Sequence, residues 1–89
     1  MISTKITIIN KLGLHARAAA KLIAVTTAHK SQIRAGVNGR MVDAKSIMSI
    51  MMLAAGKGSE LDLEFNGDDE QAAHDALVAL INDRFGEGE

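Results

Sequence analysis

Gly13-Leu14-His15-Ala16-Arg17-Ala18-Ala19-Ala20 marks the change from one kind of secondary structure to another. Before it, Thr4, Ile6 and Ile8 alternate with Lys5 and Thr7, the period of a strand with one buried face. After it, Ala16, Ala19, Ala20, Ile23 and Thr27 recur at helical spacing, which predicts a helix over residues 16–28 with those side chains inward. His15 therefore stands at the helix start, beside first-turn N–H groups that have no partner within the helix. Those groups and the positive end of the helix dipole favour an anion. Arg17 adds a fixed positive charge. A nucleophilic imidazole next to a phosphate-sized anion site suggests a histidine that carries a phosphoryl group.

Outward from this junction the elements follow in order. Ile33, Ala35 and Val37 alternate with Gln32 and Arg34. Asn38-Gly39 is a strong hairpin signal because both residue types accept positive φ, and residues 40–43 form the returning strand. Ser46 is suited to cap a short helix over residues 47–53 that Gly56 and Gly58 end. Leu61, Leu63 and Phe65 alternate with Glu60, Asp62 and Glu64, a half-buried strand. Asn66-Gly67 turns the chain, and Asp68 or Asp69 is placed to cap a last helix. Ala73, Leu77, Leu80 and Ile81 form its apolar stripe, continued by Phe85, with Gly86 as its stop. The order β-α-β-β-α-β-α predicts a two-layer α+β domain whose helices cover one sheet face. The other face, with Lys5, Thr7, Gln32, Arg34, Glu60, Asp62 and Glu64, is left wet.

With 89 residues, 47% of them apolar, the chain predicts a single domain spanning residues 1–89. The absence of cysteine excludes disulfides and thiolate metal sites. No apolar run approaches the roughly 20 residues of a membrane span, and the first residues lack the apolar core of a signal peptide. A soluble, cytoplasmic protein is the expectation. The net charge of −1 hides a division. Residues 1–57 hold nine Lys/Arg and one acid; residues 58–89 hold ten acids and one base. Either the two halves neutralise each other on folding, or the basic half, through Lys11, Arg17, Lys21, Lys45 and Lys57, faces an acidic partner or a phosphate.

Gly13-Leu14-His15-Ala16-Arg17 and Ala44-Lys45-Ser46-Ile47-Met48 together resemble the two signatures of the HPr family, the histidine-containing phosphocarriers of the bacterial phosphoenolpyruvate-dependent phosphotransferase system. The resemblance covers nearly the whole chain. It implies an open-faced sandwich, a four-stranded antiparallel sheet with three helices on one side. It implies a stoichiometric carrier with no cofactor, not an autonomous enzyme. His15 would accept a phosphoryl group on Nδ1 from enzyme I and pass it to an enzyme IIA domain. The backbone N–H groups of Ala16 and Arg17 and the Arg17 guanidinium would hold the phosphate. Ser46 would be the target of HPr kinase/phosphorylase where that kinase exists. Ala20, Ile47, Met48 and Met51, with Ala16 and Arg17, would contact partners, and the carrier would be a monomer.

The second helix's residues have another reading, since an apolar stripe at helical spacing is more often core. On that reading at least two of Ile47, Met48, Met51 and Met52 are buried. Three positions depart from the usual pattern: Ala18 stands where proline is common, Leu12 where a small polar residue is common, and Ser49 where glycine is common. Residues 10–13 and 52–58 look more like the nitrogen-related carrier, NPr, so both the sugar and the nitrogen-related branch stay open. A nucleic-acid-binding module is the alternative from another class. Against it, the wet sheet face has no aromatic residue for stacking and the overall charge is not basic. His29 and His74 read as structural or surface residues, and no spacing suggests a metal site.

Overall fold

The computed structural model describes residues 1–88; residue 89, the last of the expected domain, lies outside the described residues. The elements are β1 (Ile2–Thr7), α1 (Ala16–Thr27), β2 (Gln32–Val37), β3 (Arg40–Asp43), α2 (Ile47–Met52), β4 (Glu60–Asn66) and α3 (Glu70–Asn82). They form one antiparallel sheet in the order β1-β4-β2-β3. The predicted element order and class are those observed.

The register explains the alternation seen in the sequence. Ile2, Thr4 and Ile6 of β1 face Phe65, Leu63 and Leu61 of β4. On the other side of β4, Phe65 and Leu63 face Ile33 and Ala35 of β2. These apolar pairs share the face on which the helices pack: α3 contacts β1 and β4, α2 contacts β3, and α1 contacts both other helices. The opposite face carries the charges. Lys5 is paired with Asp62 and Arg34 with Glu64, so the acidic strand lies between two basic ones. Lys5 Nζ lies 3.6 Å from Glu60 and 3.8 Å from Asp62. On the sheet, then, the two oppositely charged halves neutralise each other. The hairpin at Asn38 and Gly39 has φ of 55° and 84°, as a two-residue turn of that sequence requires.

Three expectations about helix faces and ends need correction. In α1 the buried residues are Ala18, Ala19, Leu22 and Thr26; Ala16, Ala20 and Thr27 are exposed. A run of alanines gives no clear apolar direction, and Leu22, the largest side chain buried by the helix, sets the inner face instead. Thr26 is accommodated inside because its hydroxyl donates to Ala44 O at 2.8 Å. In α2 only Ile50 is buried, while Ile47, Met48, Met51 and Met52 are 40–72% exposed. They are therefore not core. A six-residue helix lying at the edge strand β3 has one inward position per turn, and Ile50 takes it.

The third correction concerns helix ends. α2 ends at Met52, and Ala54, two residues on, turns the chain with φ 53° before either glycine is reached. α3 ends at Asn82 rather than at Gly86, and the chain then makes a turn over Arg84–Gly86 with φ of 54°, 53° and 73°. Phe85 is fully buried there.

Asp69 stands at the N-cap of α3 but makes no capping bond. Its carboxylate instead accepts from Lys30 N at 2.8 Å, from Ser31 N at 2.9 Å and from the Ser31 hydroxyl. It thus ties the loop after α1 to the start of α3. The Ser31 hydroxyl first, then the Lys30 amide, bring its carboxyl down from 3.8 to about 2. A folded-state value below the unfolded one means stability present above pH 3.8 and lost as pH falls toward 2. Urea midpoints measured from pH 5 to pH 2 should therefore drop less in Asp69→Asn than in the wild type. Some drop should remain, because the carboxyls of Glu70, Asp75 and Glu87 are also lowered.

Candidate functional site

His15 is the N-cap residue of α1, with extended backbone (φ −73°, ψ 177°), and its own side chain makes no capping bond. Its position depends on the preceding turn. Gly13 has φ 65°, and a Cβ there would lie 2.4 Å from Ala55 O and 2.7 Å from Gly56 Cα. Only glycine fits both the conformation and the space. Leu14, buried, donates its N–H to the same Ala55 carbonyl at 2.8 Å. The Gly-Leu pair before the histidine is therefore an anchor. It fixes the chain against the segment after α2 and presents the His15 side chain, 28% exposed, at the surface.

His15 lines an open cleft with Lys11, Leu12, Ala16, Arg17, Lys21 and Glu87. Ala16 and Arg17 belong to the first turn of α1, so the structure brings the three expected residues together. Of the five basic residues expected to supply a field, Lys11, Arg17 and Lys21 are in the cleft. Lys45 is not: its ammonium donates to His29 O at 2.8 Å. Lys57 lies on a neighbouring surface with Lys11 and Arg84. Leu12, 66% exposed, places an apolar side chain at the cleft edge.

Two residues of the site escaped the sequence reading. The Nε2 atom of His15 is held by the Glu87 carboxylate, 72 positions away in the chain. Asn10, fully buried, donates from Nδ2 to Glu87 Oε1 at 2.9 Å and to Gly13 O at 2.8 Å. The hydrogen bond from Asn10 is the largest influence holding the Glu87 carboxyl below the usual range; the His15 hydrogen bond and the charges of His15 and Lys21 act in the same direction, and burial opposes them. Asn10 lies only three residues before Gly13, in a turn motif, and a buried amide is conceivable there from sequence. Nothing local points to Glu87.

Ser46 is the N-cap of α2, its Oγ accepting from Ser49 N at 3.3 Å. Ala20, Ile47, Met48 and Met51 are all on the surface, and α1 packs against α2. The remaining histidines are engaged elsewhere. His29 Nδ1 bonds Val25 O at 2.9 Å, near the end of α1. His74 bridges Thr4 Oγ1 and Asp75 Oδ1, both at 2.9 Å. Both phenylalanines are buried, so neither ring lies on the open sheet face. Among the described residues, no group of His, Cys, Asp or Glu is arranged to hold a metal ion, and no helix is long and apolar enough to cross a membrane.

The family described as "PTS HPr component phosphorylation site" matches residues 2–83. The phosphocarrier protein HPr of Cupriavidus necator is 62% identical over 89 residues, covering all of both chains. A crystal structure of HPr from Thermoanaerobacter tengcongensis superposes with a TM-score of 0.94 at 45% identity, covering 98% of each chain. A second structure, of an HPr dimer from the same organism, gives a TM-score of 0.79 at 45% identity, covering 98% of this chain and 100% of that one. A signature histidine at a helix start, an open sheet of this order and full-length likeness agree: the chain belongs to the HPr family of phosphocarrier proteins of the phosphotransferase system.

Proposed function

We propose that this chain is a stoichiometric phosphoryl carrier in which His15 Nδ1 takes a phosphoryl group from phosphorylated enzyme I and yields it to an enzyme IIA domain. The observation that carries the reading is the position of His15. It stands at the N-terminus of a 12-residue helix, in a cleft with Lys11, Arg17 and Lys21, and its Nε2 is already engaged. Nδ1 is then the nitrogen left for chemistry. The Ala16 and Arg17 N–H groups and the Arg17 guanidinium suit the phosphate by charge-assisted bonds. The P–N bond of a phosphohistidine is labile because imidazole is a good leaving group, which suits a relay. Phosphoryl transfer relies mainly on positioning and charge stabilisation, and a shallow site on a small carrier leaves most of that to the docked partner.

The exposed Ala20, Ile47, Met48 and Met51 provide the docking face. Flexible methionines can repack against more than one partner, as a carrier with a donor and an acceptor requires. The carrier works as a cytoplasmic, single-domain monomer. Incubation with phosphoenolpyruvate and enzyme I, followed by peptide mapping under conditions that keep acid-labile phosphate, tests the assignment. Label on His15 is expected; label only elsewhere overturns it.

Ser46 is a regulatory phosphorylation site for an HPr kinase/phosphorylase on this reading. A phosphate there adds about −1.5 to −2 charges next to the docking residues Ile47 and Met48 without leaving the helix cap. The Ser46→Asp chain should accept phosphate from enzyme I more slowly, on the order of tenfold in kcat/KM, with its fold retained. An unchanged rate would remove the regulatory role.

A second reading keeps the carrier but changes its branch. Residues 10–13 and 52–58 resemble the nitrogen-related carrier, and exposed Leu12 makes the cleft edge apolar. Transfer rates to a sugar-type and a nitrogen-type enzyme IIA, measured side by side, decide between the two.

A further inference from the structure

Resting on the assignment of His15 as the phosphoryl acceptor, we propose that Glu87 is a positioning residue of this site. Its carboxylate, held by Asn10, keeps a proton on Nε2 of His15, leaves the Nδ1 lone pair free for phosphorus and neutralises the imidazolium that the attack creates.

The first argument is hydrogen-bond chemistry. An ionised carboxylate only accepts hydrogen bonds. Asn10 Nδ2, His15 and the Lys21 charge keep the Glu87 carboxyl ionised. The ring nitrogen facing it must carry a proton. In a neutral imidazole the other nitrogen then carries the lone pair. A carboxylate behind a histidine is a general way of fixing tautomer and ring orientation.

The second argument is construction. Glu87 does not reach His15 by chance of a loose tail. The turn Arg84–Gly86 runs through positive φ at two non-glycine residues, each costing about 1–2 kcal/mol. Phe85 fixes that turn by complete burial, and Lys21 Nζ donates to its carbonyl at 2.6 Å. Asn10 then grips Oε1 from inside the protein, leaving Oε2 for the ring. Asn10 does this with its own Oδ1 buried and without a partner among the described residues, a cost of about 1–3 kcal/mol. Among the described residues, Glu87 is the one acid lining the cleft, beside Lys11, Arg17 and Lys21.

The step balances without a proton transfer. The Nδ1 lone pair forms the N–P bond while the bond from phosphorus to the donor's leaving atom breaks, its electron pair staying with the donor. The phosphorylated ring, still protonated at Nε2, is cationic, and Glu87 pairs with it. On transfer to the acceptor the N–P pair returns to Nδ1, and the Nε2 proton never leaves.

The test uses the full chain labelled with ¹⁵N, with phosphorylated enzyme I as donor. Ring-nitrogen spectra of the wild type should show neutral His15 protonated at Nε2, with a downfield, hydrogen-bonded proton. In Glu87→Ala that proton signal should vanish, and kcat for transfer should fall at least about tenfold with KM little changed. Glu87→Gln keeps an acceptor oxygen and lacks the charge, so it should recover the proton signal and not the rate. Protonation at Nδ1 in the wild type, an unaltered kcat in Glu87→Ala, or full rate in Glu87→Gln each overturns the proposal. A wild type that takes no phosphate on His15 overturns the carrier reading instead, and the ring spectrum then decides by itself whether Glu87 holds the imidazole.

Discussion

Replacing His15 by alanine should abolish acid-labile labelling completely while leaving the protein folded. The two remaining histidines cannot stand in. His29 has its Nδ1 bonded to Val25 O, and His74 has both ring nitrogens occupied, by Thr4 and by Asp75. Neither lines the cleft that holds Arg17 and Lys21. The stability change should be small, since His15 is a partly exposed cap residue whose side chain makes no capping bond. Changes at such positions usually stay near 0.5 kcal/mol. Losing the His15 hydrogen bond leaves Glu87 still held by Asn10. Labelling with phosphoenolpyruvate and enzyme I, paired with a urea midpoint, separates the two effects. Residual label at the wild-type level would mean that another residue carries the phosphate. Loss of label together with loss of fold would mean that His15 is structural.

What could be read in advance follows physical lines. The sheet was legible because β4 is hydrogen-bonded on both sides, so Leu61, Leu63 and Phe65 had to alternate strictly with polar residues. Asn38-Gly39 was legible because few residue pairs tolerate two positive φ values in succession. His15 stood out through its neighbours, Gly13 and Arg17. The inner face of α1 was not legible, because methyl groups at 16, 18, 19, 20 and 24 point in every direction and only packing selects among them. The end of α3 was hidden for a different reason. Arg84 and Phe85 adopt a conformation their types disfavour, and they hold it only because the core accepts the Phe85 ring. Glu87 depends on that turn and on Asn10, so its place beside His15 exists only at the tertiary level.

The same dependence makes Phe85 a substitution with a large expected cost to stability. Its side chain is fully buried in the cluster that includes Ile8, Leu22, Leu77 and Ile81. Truncating a buried phenylalanine to alanine costs about 3–5 kcal/mol, a large share of the roughly 5–15 kcal/mol that a whole domain possesses. The backbone adds a second, opposing term. At φ 53° alanine keeps the Cβ that disfavours this conformation, whereas glycine does not. Phe85→Gly should therefore be less destabilising than Phe85→Ala by about 1 kcal/mol, the reverse of the order expected inside a right-handed helix. Denaturant unfolding of the two variants measures the difference directly. Glycine proving the worse replacement would show that residue 85 is not held left-handed, and the route by which the chain delivers Glu87 to the imidazole would have to be redrawn.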